Sequence, residues 1–403
     1  MGSKESGARS SAFYRWNRRV SKADNRFVLV IHGGANRQTR ESMTLERHAS
    51  FRTVLDQALK AGYEVLKDGG EAMDAAVAAV SVLEDCPLFN AGKGAVFNAR
   101  GKNELEASIM LSKPPSTHPT IPATRRGTSL ALLTSTRNPS QLARAIYLAP
   151  DLVPHPKITG ATAEAIGSEA LGIPTVDPSY FWTEAKWKSH LKGLGLPEEP
   201  IGIPSEPDAL WDRRKSLDSD PGYKEEAEKM DPLDLMSLGT VGAVALDIRG
   251  CIVSVTSTGG RTNKLPGRIG DTATMGSGFW AEEWKQKRGL FGKIWDLLKN
   301  KSSIQGVGIS TTGDGDFFIR QNTASTIAHR MQFLREPLDK VVQKVLADIA
   351  KAAGCGGVIA LDRKGNVSMR LAPNYYSGMH RGVIRDDGVP LTGVFIDEEL
   401  SRL

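Results

Sequence analysis

The sequence has few cysteines and no long apolar segment. Only three of its 403 residues are cysteine, and they are widely spaced, at Cys86, Cys251 and Cys355. An odd, sparse set argues against a disulfide framework or a structural zinc site and favours a reducing compartment. No run of eighteen apolar residues is present, so no transmembrane helix is predicted. The N-terminal residues lack the apolar core of a secretory signal peptide, and we therefore expect a cytoplasmic protein.

The charges of the chain are nearly balanced. It has 52 Lys and Arg residues against 46 Asp and Glu residues, a formal net charge of +6. Because this excess is mild and no nucleic-acid-binding motif accompanies it, no nucleic-acid partner is predicted. Residues 1–25 are polar and basic and are predicted to form a flexible arm. Residues 1–6 match an N-myristoylation pattern, although an ordinary disordered arm is the favoured interpretation.

Apolar spacing and turn residues predict a chain in which strands and helices alternate. Strands are expected over 27–31, where Gly33 and Gly34 stop the run, and over 105–110 and 128–134. Helices are expected over 43–67, 71–84 and 138–147. Residues 240–257 have the pattern of a β-hairpin with a turn at 247–250. This order suits packed sheets with helices on the outside, an α/β protein.

Two segments interrupt this pattern. Residues from about 185 to 237 combine many prolines with many charges and are predicted to be a mobile linker. Residues 279–303 look like an insertion in which tryptophan and other apolar residues stand among lysines and an arginine. A helix packed on the protein's own surface is the favoured interpretation, and a helix that contacts a membrane surface is the alternative.

The strand that follows the linker begins with threonine. If the chain were cut between Gly239 and Thr240, Thr240 would gain a free α-amino group that can act as base for its own hydroxyl. Gly239 suits such a precursor because a residue without a Cβ tolerates strained backbone. For Gly-Thr alone, however, an ordinary strand that starts with threonine is the commoner explanation.

Three later motifs add polar groups around this hairpin. Residues 256–260 supply hydroxyls directly after its return strand. Arg268 offers a guanidinium that binds a carboxylate through two parallel bonds, and Asp271 can accept bonds from an ammonium group. Residues 310–315 offer hydroxyls and backbone amides suited to an oxyanion hole. Together these groups suit a substrate with a free α-amino acid end.

Five phrases of the sequence, in the same order, resemble the plant-type asparaginase family. They are IHGGA at 31–35, PLFNAG at 87–92, GTVGAV at 239–244, TSTGG at 256–260 and NKLPGR at 263–268. The resemblance implies an αββα four-layer sandwich of the N-terminal-nucleophile hydrolase type. It also implies self-cleavage into an α subunit, 26–239, and a β subunit, 240–403, which assemble as (αβ)2. The implied reaction is hydrolysis of L-asparagine to L-aspartate and ammonia, or of β-aspartyl (isoaspartyl) dipeptides.

The resemblance also assigns roles within the site. Thr240 would be the nucleophile, its amine the base, and Thr258 would bond to the Thr240 hydroxyl and tune it. Thr312 and Gly313 would form the oxyanion hole, and Asn90 would line the site near the nucleophile.

Substrate binding and a cation site follow from the same resemblance. Arg268 would hold the α-carboxylate and Asp271 the α-amine of the substrate. The implied substrate-binding residues are Arg268, Ile269, Gly270, Asp271, Thr312, Gly313, Asp314 and Gly315. No catalytic cofactor is implied. A structural sodium or potassium ion would be held by the main-chain carbonyls of Leu83, Glu84, Cys86, Phe89, Ala91 and Lys93.

The chain also departs from the family pattern. Asn36 stands where a glycine is usual, Glu106 replaces a usual aspartate, and Leu111 stands where an aspartate is expected. Residues 375–379 differ as well. These departures bear on substrate preference rather than on the nucleophile. A self-processing threonine protease of the taspase or glycosylasparaginase type is the alternative function, and a non-enzymatic binding protein is a third, disfavoured by the complete set of site residues.

Overall fold

The computed structural model describes residues 26–35, 40–196, 239–286, 303–373 and 378–403. The predicted arm and its myristoylation pattern, Asn36 and residues 375–377 lie outside these ranges. The strands are β1 (Val28–Ala35), β2 (Leu105–Leu111), β3 (Gly127–Leu133), β4 (Lys157–Thr159), β5 (Val241–Leu246), β6 (Ile252–Thr258), β7 (Phe279–Lys285), β8 (Ile304–Gly313), β9 (Gly356–Asp362), β10 (Val367–Leu371), β11 (Gly378–Arg385) and β12 (Leu391–Phe395).

The helices lie in two groups along the chain. The first group precedes β5 and comprises α1 (Leu45–Lys67), α2 (Ala72–Glu84), α3 (Pro139–Tyr147), α4 (Gly160–Ala165) and α5 (Glu184–Gly193). The second lies between β8 and β9 and comprises α6 (Gly315–Gln321), α7 (Thr323–Leu334) and α8 (Leu338–Lys351). Among the described residues, no helix has the length and apolar character needed to cross a membrane.

The strands form two sheets. The larger has the order β12-β11-β1-β5-β6-β2-β3-β4, and the smaller has the order β10-β9-β8-β7. Strand β5, which follows Thr240, is therefore central in the large sheet, where it pairs antiparallel with β1 and β6. A central strand is buried on both faces, which explains why all six residues of β5 are buried.

Alternate residues of the large sheet contribute to different apolar clusters. In β1, Leu29 and Ile31 pack with α1, α2 and α3, whereas Val28 and Val30 pack with Ile359 and other residues of the small sheet. This is the two-residue period of a strand. A third cluster joins the opposite face of the small sheet to α7 and α8.

The structure corrects three predictions about organisation. Strand β1 does not stop at the glycines but continues to Ala35, with a register irregularity between His32 and Gly34. The predicted linker starts too early, because α5 occupies its first part and buries Trp187 and Leu191 beside Phe97. Residues 197–238 lie outside the described ranges.

The start of the predicted insertion is also different from expectation. Residues 279–285 are strand β7, which pairs in register with β8 from Phe279 opposite Ser310 to Lys285 opposite Ile304. Trp280 packs against the helix-covered cluster of the small sheet. A surface helix is therefore wrong for this part of the segment. Residues 287–302 lie outside the described ranges.

Candidate active site

The predicted cleavage point lies in a crowded place at the start of β5. A Cβ added to Gly34 would lie 2.3 Å from the Gly239 Cα, and one added to Gly239 would lie 3.0 Å from the Asn90 Cβ. Gly34 also has a φ of +109°, which favours glycine. Thr240, 7% exposed, borders the adjoining cleft. The glycines let three segments of the chain meet at the bond before Thr240.

Thr258 lies beside the Thr240 hydroxyl, as predicted. The β5–β6 pairing puts Val241 opposite Ser257, so Thr240 and Thr258 meet at the end of the hairpin. The Thr240 Oγ1 donates to the Thr258 Oγ1 at 3.3 Å, and Thr258 donates in turn to the Asn90 carbonyl at 3.3 Å. In the uncut chain Thr240 is thus the donor and Thr258 the acceptor of this hydrogen bond. A negative charge that develops on the Thr240 oxygen requires the opposite, donation by Thr258.

Asn90 lies next to Thr258, but its side chain does not line the cleft. Its carbonyl accepts from Thr258 and from the Gly259 N–H, and its side-chain amide donates to the Gly260 carbonyl at 2.7 Å. Its Oδ1 accepts from the Val96 N–H at 3.0 Å. Asn90 therefore braces the turn after β6 against the loop after α2.

The two predicted substrate-binding side chains converge on the same cleft. Arg268 donates to the Asp316 carboxylate at 2.8 Å, so the guanidinium already has an acidic partner. Asp271 accepts from the Thr311 hydroxyl at 2.9 Å. Burial raises the pKa of Asp271 to about 7. The hydrogen bond from Thr311 and the charge of Arg268 lower this pKa, whereas the charge of Glu106 raises it further. A substrate ammonium beside Asp271 would favour its ionised form.

The predicted oxyanion residues lie at the end of β8. The Thr312 hydroxyl accepts from the Ala35 N–H at 3.0 Å, which leaves its own proton for another acceptor. Gly313 has a φ of +147°, and a Cβ there would lie 2.4 Å from the Gly356 Cα. Thr312 itself is fully buried behind the cleft, and Ile269 does not border it.

A small cleft joins these groups. All of its lining residues are charged residues, threonines or glycines, a lining that suits a small substrate with charged ends. Its lining residues are Glu106, Gly239, Thr240, Thr258, Gly260, Arg261, Arg268, Gly270, Asp271, Gly313, Asp314 and Gly315.

A buried polar contact holds the two sheets together behind the nucleophile. His32 of β1 bonds to the Ser310 hydroxyl of β8 at 2.7 Å, and Ser310 meets Thr256 of β6 at 2.9 Å. Burial lowers the pKa of His32 to about 3, so the imidazole is neutral. A Cβ on Gly242 would lie 2.2 Å from the Ser310 Oγ and 2.5 Å from the His32 Nε2. Glycine at this position lets the sheets approach each other.

Comparison with known proteins agrees with this geometry. A family model described as asparaginase matches residues 25–285 and 303–394. The chain belongs to the asparaginase family. The isoaspartyl peptidase of Escherichia coli K12 is 33% identical over 372 residues, which cover 91% of this chain and 96% of that protein. A putative isoaspartyl peptidase/L-asparaginase of Dictyostelium discoideum is 32% identical, covering 89% and 93% of the two chains.

A plant relative is similar over the same length. The probable isoaspartyl peptidase/L-asparaginase 2 of Arabidopsis thaliana is 29% identical, over 90% of this chain and 97% of its own. The resemblance predicted from five phrases is thus confirmed. The asparaginase family model leaves out residues 286–302, which places the extra segment after β7 rather than at residue 279.

The loop predicted to hold a monovalent cation packs two of its glycines closely against backbone carbonyl groups. A Cβ on Gly92 would lie 2.3 Å from the Glu84 carbonyl oxygen, and one on Gly94 would lie 2.1 Å from the Phe89 carbonyl oxygen. Main-chain carbonyl oxygens are the donor type that alkali and alkaline-earth cations prefer. Among the described residues, no cluster of His, Cys, Asp and Glu could hold a metal. A carbonyl-held sodium or potassium ion stays a prediction.

Sequence reasoning missed three charged residues of the site as functional groups. Glu106 and Arg261 border the cleft, and Asp316 pairs with Arg268 and lies 3.9 Å from Arg261. Glu106 was noticed only as a departure from the family pattern. Its alternation with Glu104 around the start of β2 was a usable signal, because residues i and i+2 of a strand lie on one face.

Proposed function

We propose that this protein is a self-cleaving amidohydrolase that hydrolyses L-asparagine to L-aspartate and ammonia and also hydrolyses β-aspartyl dipeptides. The observation that carries the proposal is the contact of the Thr240 and Thr258 hydroxyls at 3.3 Å, in the cleft that Arg268 and Asp271 also line. Its relatives named as isoaspartyl peptidase/L-asparaginase support this substrate class. They do not favour the taspase or glycosylasparaginase alternative.

Self-cleavage would begin with the Thr240 hydroxyl. Its oxygen attacks the Gly239 carbonyl carbon, the peptide bond is exchanged for an ester, and water hydrolyses that ester. The products are a carboxylate on Gly239 and a free amine on Thr240. The close packing of Gly34, Gly239 and Asn90 supports this step, because it holds the carbonyl in one place.

Turnover would use the amine released by cleavage. The amine takes the proton of the Thr240 hydroxyl, and the oxygen attacks the side-chain carbonyl of the substrate. Thr312 and the Gly313 N–H would stabilise the resulting oxyanion. Ammonia, or the amine of the second residue of a dipeptide, leaves with the proton, and water then hydrolyses the acyl-enzyme to L-aspartate.

Arg268 and Asp271 explain why both substrates fit. Each substrate has a free α-carboxylate and α-ammonium on the aspartyl end and differs only in its leaving group. Asp316 must release Arg268, or share it, when the substrate carboxylate arrives. A bidentate charged pair favours substrates with this end over internal peptide bonds.

Three further features are proposed on the same basis. The three apolar clusters support a four-layer αββα arrangement, with helices outside two sheets. The (αβ)2 assembly and a structural sodium or potassium ion on the loop after α2 complete the proposal.

Intact mass and two assays test the proposed function. Wild-type protein is expected to give chains of residues 1–239 and 240–403, with threonine at the new N-terminus, and to hydrolyse L-asparagine and a β-aspartyl dipeptide. Thr240→Ala is expected to stay one chain without activity. A wild type that remains whole through long incubation and turns over neither substrate would refute the proposal.

A further inference from the structure

Two glutamates at the start of β2 face the loop that contains Arg268 and Asp271. Glu106 is fully buried and lies directly opposite Thr258 in the pairing of β2 with β6. Directly opposite residues of neighbouring strands have their side chains on the same face. Glu104 comes just before the strand, and its carboxylate accepts from the Gly267 N–H of the same loop. The strand therefore connects the nucleophile's neighbour with the substrate-binding loop.

The Glu106 carboxylate binds the backbone of this loop on both sides of Asp271. The Gly270 N–H donates to its Oε1 at 2.8 Å and the Ala273 N–H donates to its Oε2 at 3.2 Å. Glu104 repeats the arrangement further out, where it accepts from the Gly267 N–H at 3.0 Å. Residues 259–278 have no strand or helix in the structure, so carboxylates supply bonds that a regular element would otherwise supply.

A buried lysine compensates the charge of Glu106. The Lys264 Nζ lies 4.0 Å from the Glu106 Oε1, with both side chains fully buried, and donates to the Glu104 carbonyl at 2.7 Å. A buried carboxylate without such a partner would be strongly unfavourable. The loop is thus tied to the start of β2 at two places, by the Lys264 side chain and by the backbone of Gly270 and Ala273.

Gly270 lies between the two substrate-binding residues in a tightly packed space. A Cβ there would lie 3.0 Å from the Arg268 Nη1 and 3.3 Å from both Glu106 carboxylate oxygens. The carboxylate and the guanidinium therefore approach the same peptide unit. A shift of this peptide would move Arg268 and Asp271 relative to each other.

We propose that Glu106 is a positioning residue for substrate recognition, which sets the separation of the Arg268 guanidinium and the Asp271 carboxylate by holding the Gly270 and Ala273 N–H groups. The inference rests on the proposed function of this cleft. It assigns to Glu106 the binding of the α-amino acid end and not the chemistry at Thr240. Self-cleavage, which needs no bound substrate, should therefore not depend on it.

The test compares Glu106→Gln with wild type. The amide keeps the shape but has one acceptor oxygen in place of two, and its NH2 group faces an N–H donor. We expect self-cleavage at the wild-type rate. The KM for L-asparagine should rise at least about tenfold, the scale of one lost charged hydrogen bond. The kcat per cleaved site should stay within about threefold of wild type. The inhibition constant of the product L-aspartate, which has both α-groups, should rise in parallel with KM. Arg268→Ala provides the reference for lost binding.

Glu164→Gln is the matched control. Glu164 is also buried and accepts N–H bonds, from Thr134, Ser135 and Thr136, but it belongs to α4 and does not border the cleft. It should lose stability without any change in KM or in the L-aspartate inhibition constant. A cleaved Glu106→Gln enzyme with wild-type values of both constants would overturn the proposal.

A second variant decides the matter if Glu106→Gln does not fold. Glu106→Asp keeps the charge but is shorter by one methylene, so a raised KM with nearly unchanged kcat supports the positioning role and a wild-type KM refutes it. Failure of the proposed function can be distinguished from failure of this inference, because in the first case the wild-type protein itself would hydrolyse neither substrate.

Discussion

At the scale of single residues, Thr258 is predicted to act in both self-cleavage and turnover. In the uncut chain its hydroxyl accepts from Thr240 and from the Gly260 N–H and donates to the Asn90 carbonyl. After cleavage the Thr240 proton passes to the new amine, and a reoriented Thr258 hydroxyl can then donate to the Thr240 oxygen. Such a bond matters most where negative charge develops, in the transition state.

Thr258→Ala is therefore expected to cleave slowly or incompletely. Its cleaved fraction should hydrolyse L-asparagine with a kcat about a hundredfold lower, the scale of one lost preorganised donor. Thr258→Ser should retain much of the activity because it retains the hydroxyl. The measurement is kcat per cleaved site together with the melting temperature.

Ser254→Ala controls for the loss of a buried hydroxyl from the same strand. Ser254 donates to the Ile309 carbonyl at 2.6 Å, deeper between the sheets and away from Thr240. The Ser254→Ala substitution should lower the melting temperature and leave kcat nearly unchanged. A destabilised Thr258→Ala enzyme with wild-type kcat would remove Thr258 from the mechanism.

At the scale of elements, a buried carboxyl joins the end of α2 to the start of α3. Glu84 is fully buried and meets the Ser140 N–H at 2.9 Å and the Ser140 hydroxyl at 2.7 Å. Burial raises the pKa of Glu84 to about 7, although bonds from Ser257 and Ser140 oppose the shift. The native protein therefore holds a proton here that the unfolded chain releases at lower pH.

This linkage predicts a pH-dependent stability. Because the folded pKa of Glu84 exceeds the unfolded value, its contribution is fully present below pH 4.5 and is lost as pH rises through about 7. In a Thr240→Ala background, which stays uncut, the stability difference between Glu84 and Glu84→Gln proteins should fall by about 1 kcal/mol per pH unit from pH 5 to 7. Unfolding in urea at several pH values measures it.

Glu71 is a control of opposite sign. Burial acts to raise the pKa of Glu71, but bonds from Ser116 and Thr117 and the charge of Arg249 lower it below the usual value. The contribution of the ionised Glu71 to stability is therefore lost only at acid pH. The difference in unfolding free energy between Glu71 and Glu71→Gln proteins should stay constant between pH 5 and 7. If the difference in unfolding free energy between Glu84 and Glu84→Gln proteins were also independent of pH, Glu84 would not be protonated in the native protein.

At the scale of the whole molecule, the two residues that flank the extra segment, Gln286 and Ser303, lie at the end of the small sheet remote from the cleft. The Gln286 N–H donates to the Ser303 carbonyl at 2.9 Å, so the ends of the segment meet and continue the β7–β8 pairing. Strand β8 then runs ten residues to Gly313, about 30 Å at 3.3 Å per residue.

Replacement of residues 287–302 by Asn-Gly is therefore expected to preserve fold, self-cleavage and KM. The two residues form a hairpin turn that matches the strand twist. Closing a shorter loop should leave stability unchanged or raise it by up to about 2 kcal/mol. Melting curves and asparagine kinetics check this. A folded but inactive variant would show that the segment contributes to the site, through assembly or otherwise.

The sequence alone was sufficient for the parts of the protein that local chemistry specifies. The apolar spacing located α1, α2 and the hairpin β5–β6, because periods of 3.6 and 2 are local properties. The Gly-Thr step and the motifs around Thr258 and Arg268 indicated the family before any coordinates, since each motif retains its chemistry as a short continuous phrase.

The tertiary structure decided what depends on contacts distant in sequence. Nothing local to Glu106 indicates that it binds the backbone of Gly270 and Ala273, because that contact requires β2 to pair with β6 and the following loop to fold back. The same holds for Asp316, which reaches Arg268 only after β8 crosses the small sheet. The start of α5 inside a proline-rich, charged segment was also hidden, since burial against Phe97 outweighs local composition. Local sequence therefore indicated the family and the candidate nucleophile, whereas long-range pairing and burial determined how the candidate substrate-binding groups are held.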